Sequence, residues 1–200
     1  MDYEVSTFEH LQQESFTQGV CIRHETITGA RFEQLMMYDV VFENCHFIDC
    51  IFENISCNDT IFRHCEFSSC YINGGSIYRT QWVNCKLIGA VFDEVSFEYV
   101  VWMQCFGNDA SFAKSTFEHT TFSNCTLGHA NFSYVQQHNL QFTASDLEHA
   151  NFTETSLAGI DFRTVHFTTL HVTKEKVAGC TITAEQAPVF LSLLGISLNV

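Results

Sequence analysis

Residues 41–70 read VFENC HFIDC IFENI SCNDT IFRHC EFSSC, six groups of five whose second member is Phe in every group but one, where it is Cys. Stepping by five from Phe42 in both directions keeps the phase from Ile22 to Ile182, and 30 of the 33 positions carry a large apolar side chain. The exceptions are Cys57, Gly107 and Gln137, and sixteen of the 20 Phe residues fall in this phase. Two positions before the members stands a second series of mostly small or β-branched residues, among them Ala30, Val40, Cys45, Cys50, Cys65, Ala90, Val95, Ala110 and Ala130. A period of five fits neither an α-helix at 3.6 nor a flat strand at 2. It fits a short extended segment that turns two residues inward and then meets a corner that resets the phase. Such a chain must coil.

The cysteines give the number of sides. Cys45, Cys65, Cys85, Cys105 and Cys125 recur every 20 residues, as they would along one corner of a square coil with four five-residue sides. Phe42, Phe62, Trp82, Trp102, Phe122, Phe142 and Phe162 form an aromatic column at the same spacing, and Ala90, Ala110, Ala130 and Ala150 a small one. The groups CHFID, CIFEN, CEFSS, AVFDE, ANFSY and ANFTE resemble the pentapeptide-repeat family. That resemblance implies an all-β fold, a right-handed quadrilateral β-helix, closed here by a short C-terminal helix. Three segments are expected: an N-terminal cap or partly disordered start over 1–19, with Phe8, Leu11 and Phe16 as apolar anchors; a β-helix of about eight coils over 20–182; and a helix and tail over 183–200.

Composition narrows the function. Nine Lys plus Arg against 23 Asp plus Glu give a formal charge of -14, which repels phosphate backbones and anionic bilayers, so neither direct nucleic-acid binding nor membrane association is expected. No apolar run is long enough to span a bilayer, and residues 1–20 contain no signal-peptide core. Ten Cys without an export signal point to reduced thiols in the cytoplasm. Five thiols along one edge make a line rather than a tetrahedron, and His129, His149, His119 and His138 lack a completing carboxylate or thiol, so no metal or other cofactor is expected. No nucleophile elbow, phosphate loop or dinucleotide fingerprint occurs, so the expectation is a protein that is not an enzyme. Gly107 and Gln137 are vacancies in the inner column; Phe106 is expected either to fill the first or to mark a bulge.

The C-terminus leaves the repeat. Thr183 followed by Gln186 reads as a capping box, and Ala187, Phe190, Leu191 and Leu194 give a helical stripe ended by Gly195; Pro188 sets the helix start one or two residues late. Beyond it Ile196, Leu198 and Val200 alternate, so this end either plugs the solenoid or pairs with a second copy. The ending TAEQAPVFLSLLGISLNV resembles the C-terminal module of the Qnr-like, topoisomerase-protecting members of the family. The resemblance implies a homodimer through Phe190, Leu191, Leu194, Ile196 and Leu198. It also implies a partner, DNA gyrase or topoisomerase IV, shielded from quinolones or another poison by a rod that mimics DNA. The unbroken register leaves no room for the projecting loops of several relatives. The alternative is an interaction scaffold of the same fold with an unrelated protein partner.

Two sides of the coil are expected to meet a partner: they carry Glu33, Glu53, Asp93, Glu94 and Glu154 on one and Asp39, Asp59, Glu98 and Glu118 on the other. The remaining two carry Glu43, Glu66, Asp49, Asp109, Asp146, Glu148 and Asp161, diluted by Arg23, Arg63, Lys86 and Arg163.

Overall fold

The computed structural model describes residues 3–196. In most five-residue sides the Phe-type residue and the one two before it point inward, the residues flanking the Phe point out, and the next turns the corner. Corner residues adopt the left-handed region: 24 non-glycine residues do so, from His24 (φ 55°) to Glu154 (φ 60°). That conformation costs about 1 kcal/mol for an L-residue and least for Asn and Asp, which hold Asp39, Asn44, Asp49, Asn54 and Asp59 in succession. The corner N–H offsets the cost by bonding the next coil, as Asn44 N does to Arg63 O at 2.9 Å and Asn84 N to Met103 O at 2.9 Å. No Val, Ile or Thr takes such a corner in the described residues. Where Thr164 and Thr169 reach it the left-handed corner is lost, because a β-branched side chain clashes there.

Successive coils pair in parallel with a 20-residue offset, which defines four faces. The first carries Ile22, Phe42, Phe62, Trp82, Trp102 and Phe122 inside, in register. The second is the side of Ile27, Phe47, Phe67, Leu87, Gly107, Leu127 and Leu147, held by bridges from His46 through Glu66, Lys86, Phe106, Thr126 and Asp146 to His166. The third holds Phe32, Phe52, Ile72 and Phe92, and the fourth Met37, Cys57, Ile77, Phe97 and Phe117. The rod is therefore the square β-solenoid that the five-residue phase predicts.

Inside, rings stack vertically and meet edge-on across the coil. Trp82 lies 4.7 Å from Trp102 and Phe112 lies 5.3 Å from Phe92 and 5.0 Å from Phe132, while Phe112 and Phe122 meet at 74°. Both geometries favour aromatic pairs. Both indole N–H groups lie buried without an acceptor, the cost of filling a uniformly apolar column with Trp. The inner corner residues do more than make room. Thiols and hydroxyls there donate to the carbonyl of the inward residue one coil below: Cys85 Sγ to Phe62 O (3.4 Å), Cys105 Sγ to Trp82 O (3.4 Å), Ser115 Oγ to Phe92 O (2.8 Å) and Thr155 Oγ1 to Phe132 O (2.6 Å).

A short helix stands at each described end. Glu4–Ser6 pairs with residues 20–22, an offset of sixteen rather than 20, because helix α1 (Phe8–Gln13) replaces two sides. The Thr7 hydroxyl accepts from His10 N, Phe8 N donates to the Glu25 carboxylate at 2.7 Å, and Phe8 drops its ring 4.9 Å from Phe47. Phe8 and Leu11 are buried as anchors, but Phe16 is 49% exposed. The strand Phe16–Gln18 already obeys the repeat phase, which sends Thr17 inward and Phe16 out.

At the other end Thr183 N donates to Gln186 Oε1 (2.9 Å) and Gln186 N to Thr183 Oγ1 (3.4 Å), the reciprocal bonds of a capping box. Helix α2 (Ala187–Ser192) follows, with Pro188 in its first turn. Buried Gln186 also donates through Nε2 to Phe162 O and Val165 O, both at 2.9 Å, taking over from the missing next coil. Gly195 (φ 70°) ends the helix, with Ile196 N returning to Leu191 O at 3.1 Å.

Candidate protein-interaction surface

All nine candidate acids point outward on the third and fourth faces, as the register requires. Most, however, are engaged within the chain. Arg31 bridges Glu33 (2.8 Å) and Glu53 (2.6 Å), Arg79 pairs with Asp59, and Lys114 pairs with Glu94 (3.2 Å). Asp93 accepts from Ser111 Oγ (2.6 Å) and Ala113 N (3.0 Å), Asp39 from Tyr3 Oη (2.8 Å), and Glu154 from Thr173 Oγ1 (3.3 Å). Glu98 and Glu118 keep their carboxylates toward solvent, Glu118 with only His119 at 3.9 Å.

The other two sides differ sharply from one another. Arg23, Arg63 and Arg163 all stand on the first face, where Arg23 meets Glu43 (3.2 Å) and Arg163 meets Asp161 (2.7 Å). Arg163 holds the Asp161 carboxyl down to about 2, through its side-chain hydrogen bonds and then its backbone N–H. The second face carries Glu25, Asp49, Glu66, Asp109, Asp146 and Glu148 against the single cation Lys86. Every Lys or Arg ion pair among the described residues lies on another face. Grouping the first and second faces hides this, since it sets three first-face arginines against second-face acids. The 20-residue phase could have separated them.

Of the candidate dimer residues, Phe190 and Leu191 are half-buried, and the Phe190 ring lies 6.4 Å from Phe167. Leu194 and Ile196 stand in solvent, 54% and 49% exposed; Leu198 lies outside the described residues. The inner column there is thinly covered, with Val172, Val177 and Ile182 only partly buried.

The vacancies resolve by different means. A Cβ on Gly107 would stand 3.0 Å from Leu127 Cδ2, so the leucine of the next coil fills the slot, and Phe106 neither fills it nor enters the core. Gln137 turns its amide to the chain, donating to Ser156 O (3.1 Å) and Ala158 O (2.9 Å) where the following coil has lost its strand pairing. Cys45, Cys65, Cys85, Cys105 and Cys125 are buried, as the ladder predicts. Hydrogen-bonded neighbours Cys105 and Cys65, and then burial, push the Cys85 thiol far above the ordinary thiol range; burial pushes Cys57 up to about 12. Among the described residues no three His, Cys, Asp or Glu side chains are grouped to hold a metal ion. His129 and His149 stack face to face at 4.8 Å, which turns their nitrogens away from a common point. No helix among the described residues is long and apolar enough to cross a membrane.

A rod of stacked parallel coils with a filled interior and polar faces is a β-solenoid scaffold, a protein whose outer faces are its working surface. The sequence profile for a pentapeptide repeat region matches residues 75–152, and that for pentapeptide repeats in eight copies matches residues 138–168. With the five-residue register that the strands realise, these mark residues 75–168 as pentapeptide repeats. A profile of the SV2A/B/C luminal domain matches residues 8–92. No curated protein matches the chain. Among solved structures, a trypsin-treated form of QnrB1, a plasmid-mediated fluoroquinolone resistance protein, is 19% identical with a TM-score of 0.46, covering 90% of this chain and 100% of that one. Full-length QnrB1 is 18% identical with a TM-score of 0.42, over 88% and 100% of the two chains. HetL, a pentapeptide repeat protein involved in heterocyst differentiation regulation in the cyanobacterium Nostoc sp. strain PCC 7120, is 14% identical with a TM-score of 0.41, over 84% and 83%.

Proposed function

We propose that this chain is a non-enzymatic acidic rod that binds a type II topoisomerase, DNA gyrase or topoisomerase IV, and shields it from quinolones or a related poison. The observation that carries the reading is charge per length. About eight coils at about 4.8 Å each give a rod of about 38 Å, over which duplex DNA presents about 22 charges. The chain supplies a net -14, close to 60% of that density, estimated from the same spacing. This is enough to draw the rod into a basic groove without copying each phosphate.

The exposed Leu194 and Ile196 beside half-buried Phe190 and Leu191 support a twofold contact through the C-terminal module, which doubles length and charge together. A supercoiling assay with purified gyrase, with and without ciprofloxacin, tests the reading, and truncation after Ile182 should give monomers and remove protection. A full-length chain that neither protects nor inhibits gyrase would reject it. One observation favours the scaffold reading. Charge on this rod is concentrated by face and nearly cancels on the first, whereas a duplex is negative all round.

A further inference from the structure

The second face carries carboxylates that pair with no Lys or Arg among the described residues, their nearest ionisable partners being His46 at 3.4 Å from Glu66 and His149 at 3.6 Å from Glu148. It combines them with three of the large apolar side chains left in solvent: Ile48, Ile88 and Phe106, 43%, 46% and 50% exposed. Phe106 is the notable one. The inward slot beside it belongs to Gly107 and is filled by Leu127, so the register fixes the ring outside although a place for a large side chain adjoins it. An apolar centre within a charged surround is the composition of a protein interface. The charge selects a basic occupant and disfavours nucleic acid and anionic lipid.

The spacing selects its form. Glu66, Lys86, Phe106, Thr126 and Asp146 stand in one column of bridged residues, so Glu66 and Asp146 each lie two coils, about 10 Å, from Phe106. Along an α-helix, residues seven apart on one side lie about 10.5 Å from each other. We propose that the second face docks a basic amphipathic helix laid along the rod. An apolar side chain of that helix covers Phe106 and Ile88, cations seven residues to either side meet Glu66 and Asp146, and the position over Lys86 is acidic or neutral. This goes beyond the topoisomerase reading and holds whichever protein carries the helix.

A synthetic helical peptide with Lys, Leu and Lys at seven-residue intervals on one side, and Glu between the first two, serves as the probe. Its binding to the full-length chain is followed by fluorescence anisotropy and by amide shifts of nitrogen-labelled protein. Shifts should cluster on the second face, around Ile88, Phe106 and Asp109. Phe106→Ser should weaken binding about tenfold, and the double variant Glu66→Gln, Asp146→Asn should weaken it and flatten its salt dependence. Tyr71→Ser, an equally exposed change on the third face, should leave it unaltered. Both ring variants keep the fold, since neither side chain enters the core. Failure to bind, shifts spread evenly over four faces, or an affinity indifferent to Phe106→Ser would overturn the proposal. Because gyrase takes no part, the outcome is separate from that of the supercoiling assay.

Discussion

Phe112 and Phe106 are the same residue type six positions apart, and truncating each to Ala separates burial from composition. Phe112 is fully buried and touches six aromatic rings: Phe92 and Phe132 above and below, and Phe97, Trp102, Phe117 and Phe122 at the sides. Removing its ring loses the transfer free energy and leaves a void that backbone tied to coils on both sides cannot close, for about 3 to 5 kcal/mol. Phe106 sits half in solvent, and its loss should cost under about 0.5 kcal/mol, as for other surface positions. Urea unfolding followed by circular dichroism and by fluorescence of Trp82 and Trp102 measures both. Stacked repeats couple mainly to their neighbours, so Phe112→Ala should also separate the two probes' transitions. Equal costs, or a Phe112→Ala variant as stable as the parent, would refute the packing argument.

Other consequences are as direct. Asn124→Val forces a β-branched residue into a φ of 53° and should destabilise by about 1 to 2 kcal/mol, whereas Asn124→Gly should be nearly neutral, measured by the same unfolding curves. Gln186→Ala leaves Val165 O without its donor, while Phe162 O keeps Val165 N at 2.9 Å, and should cost about 1 to 3 kcal/mol, with faster hydrogen exchange confined to the last coils. Thiol labelling in native buffer should modify Cys180, the least buried of the ten, first, and leave the buried ladder slow until the coil unfolds; rapid labelling of all ten would contradict the placement.

The square coil, its four columns and the Cys ladder follow from the order of residues alone. The reason is that contacts between coils fall at a constant offset of 20 residues, so a three-dimensional stack projects onto a one-dimensional period. The corner was only partly legible: Asn and Asp hold it in succession from Asp39 to Asp59, but elsewhere His, Gln, Arg, Glu, Tyr and Lys take the same left-handed conformation. The capping box at Thr183 and Gln186 was equally local, since both its bonds close within three residues. What the period could not carry was the reach of side chains between coils. Arg31 bonding Glu53, Arg79 bonding Asp59 and Lys114 bonding Glu94 decide which acids on the third and fourth faces keep their charge toward a partner. Leu127 moving into the place of Gly107 decides that Phe106 stays outside. Such choices depend on rotamers and on how neighbouring coils fill volume, and only the assembled stack fixes them.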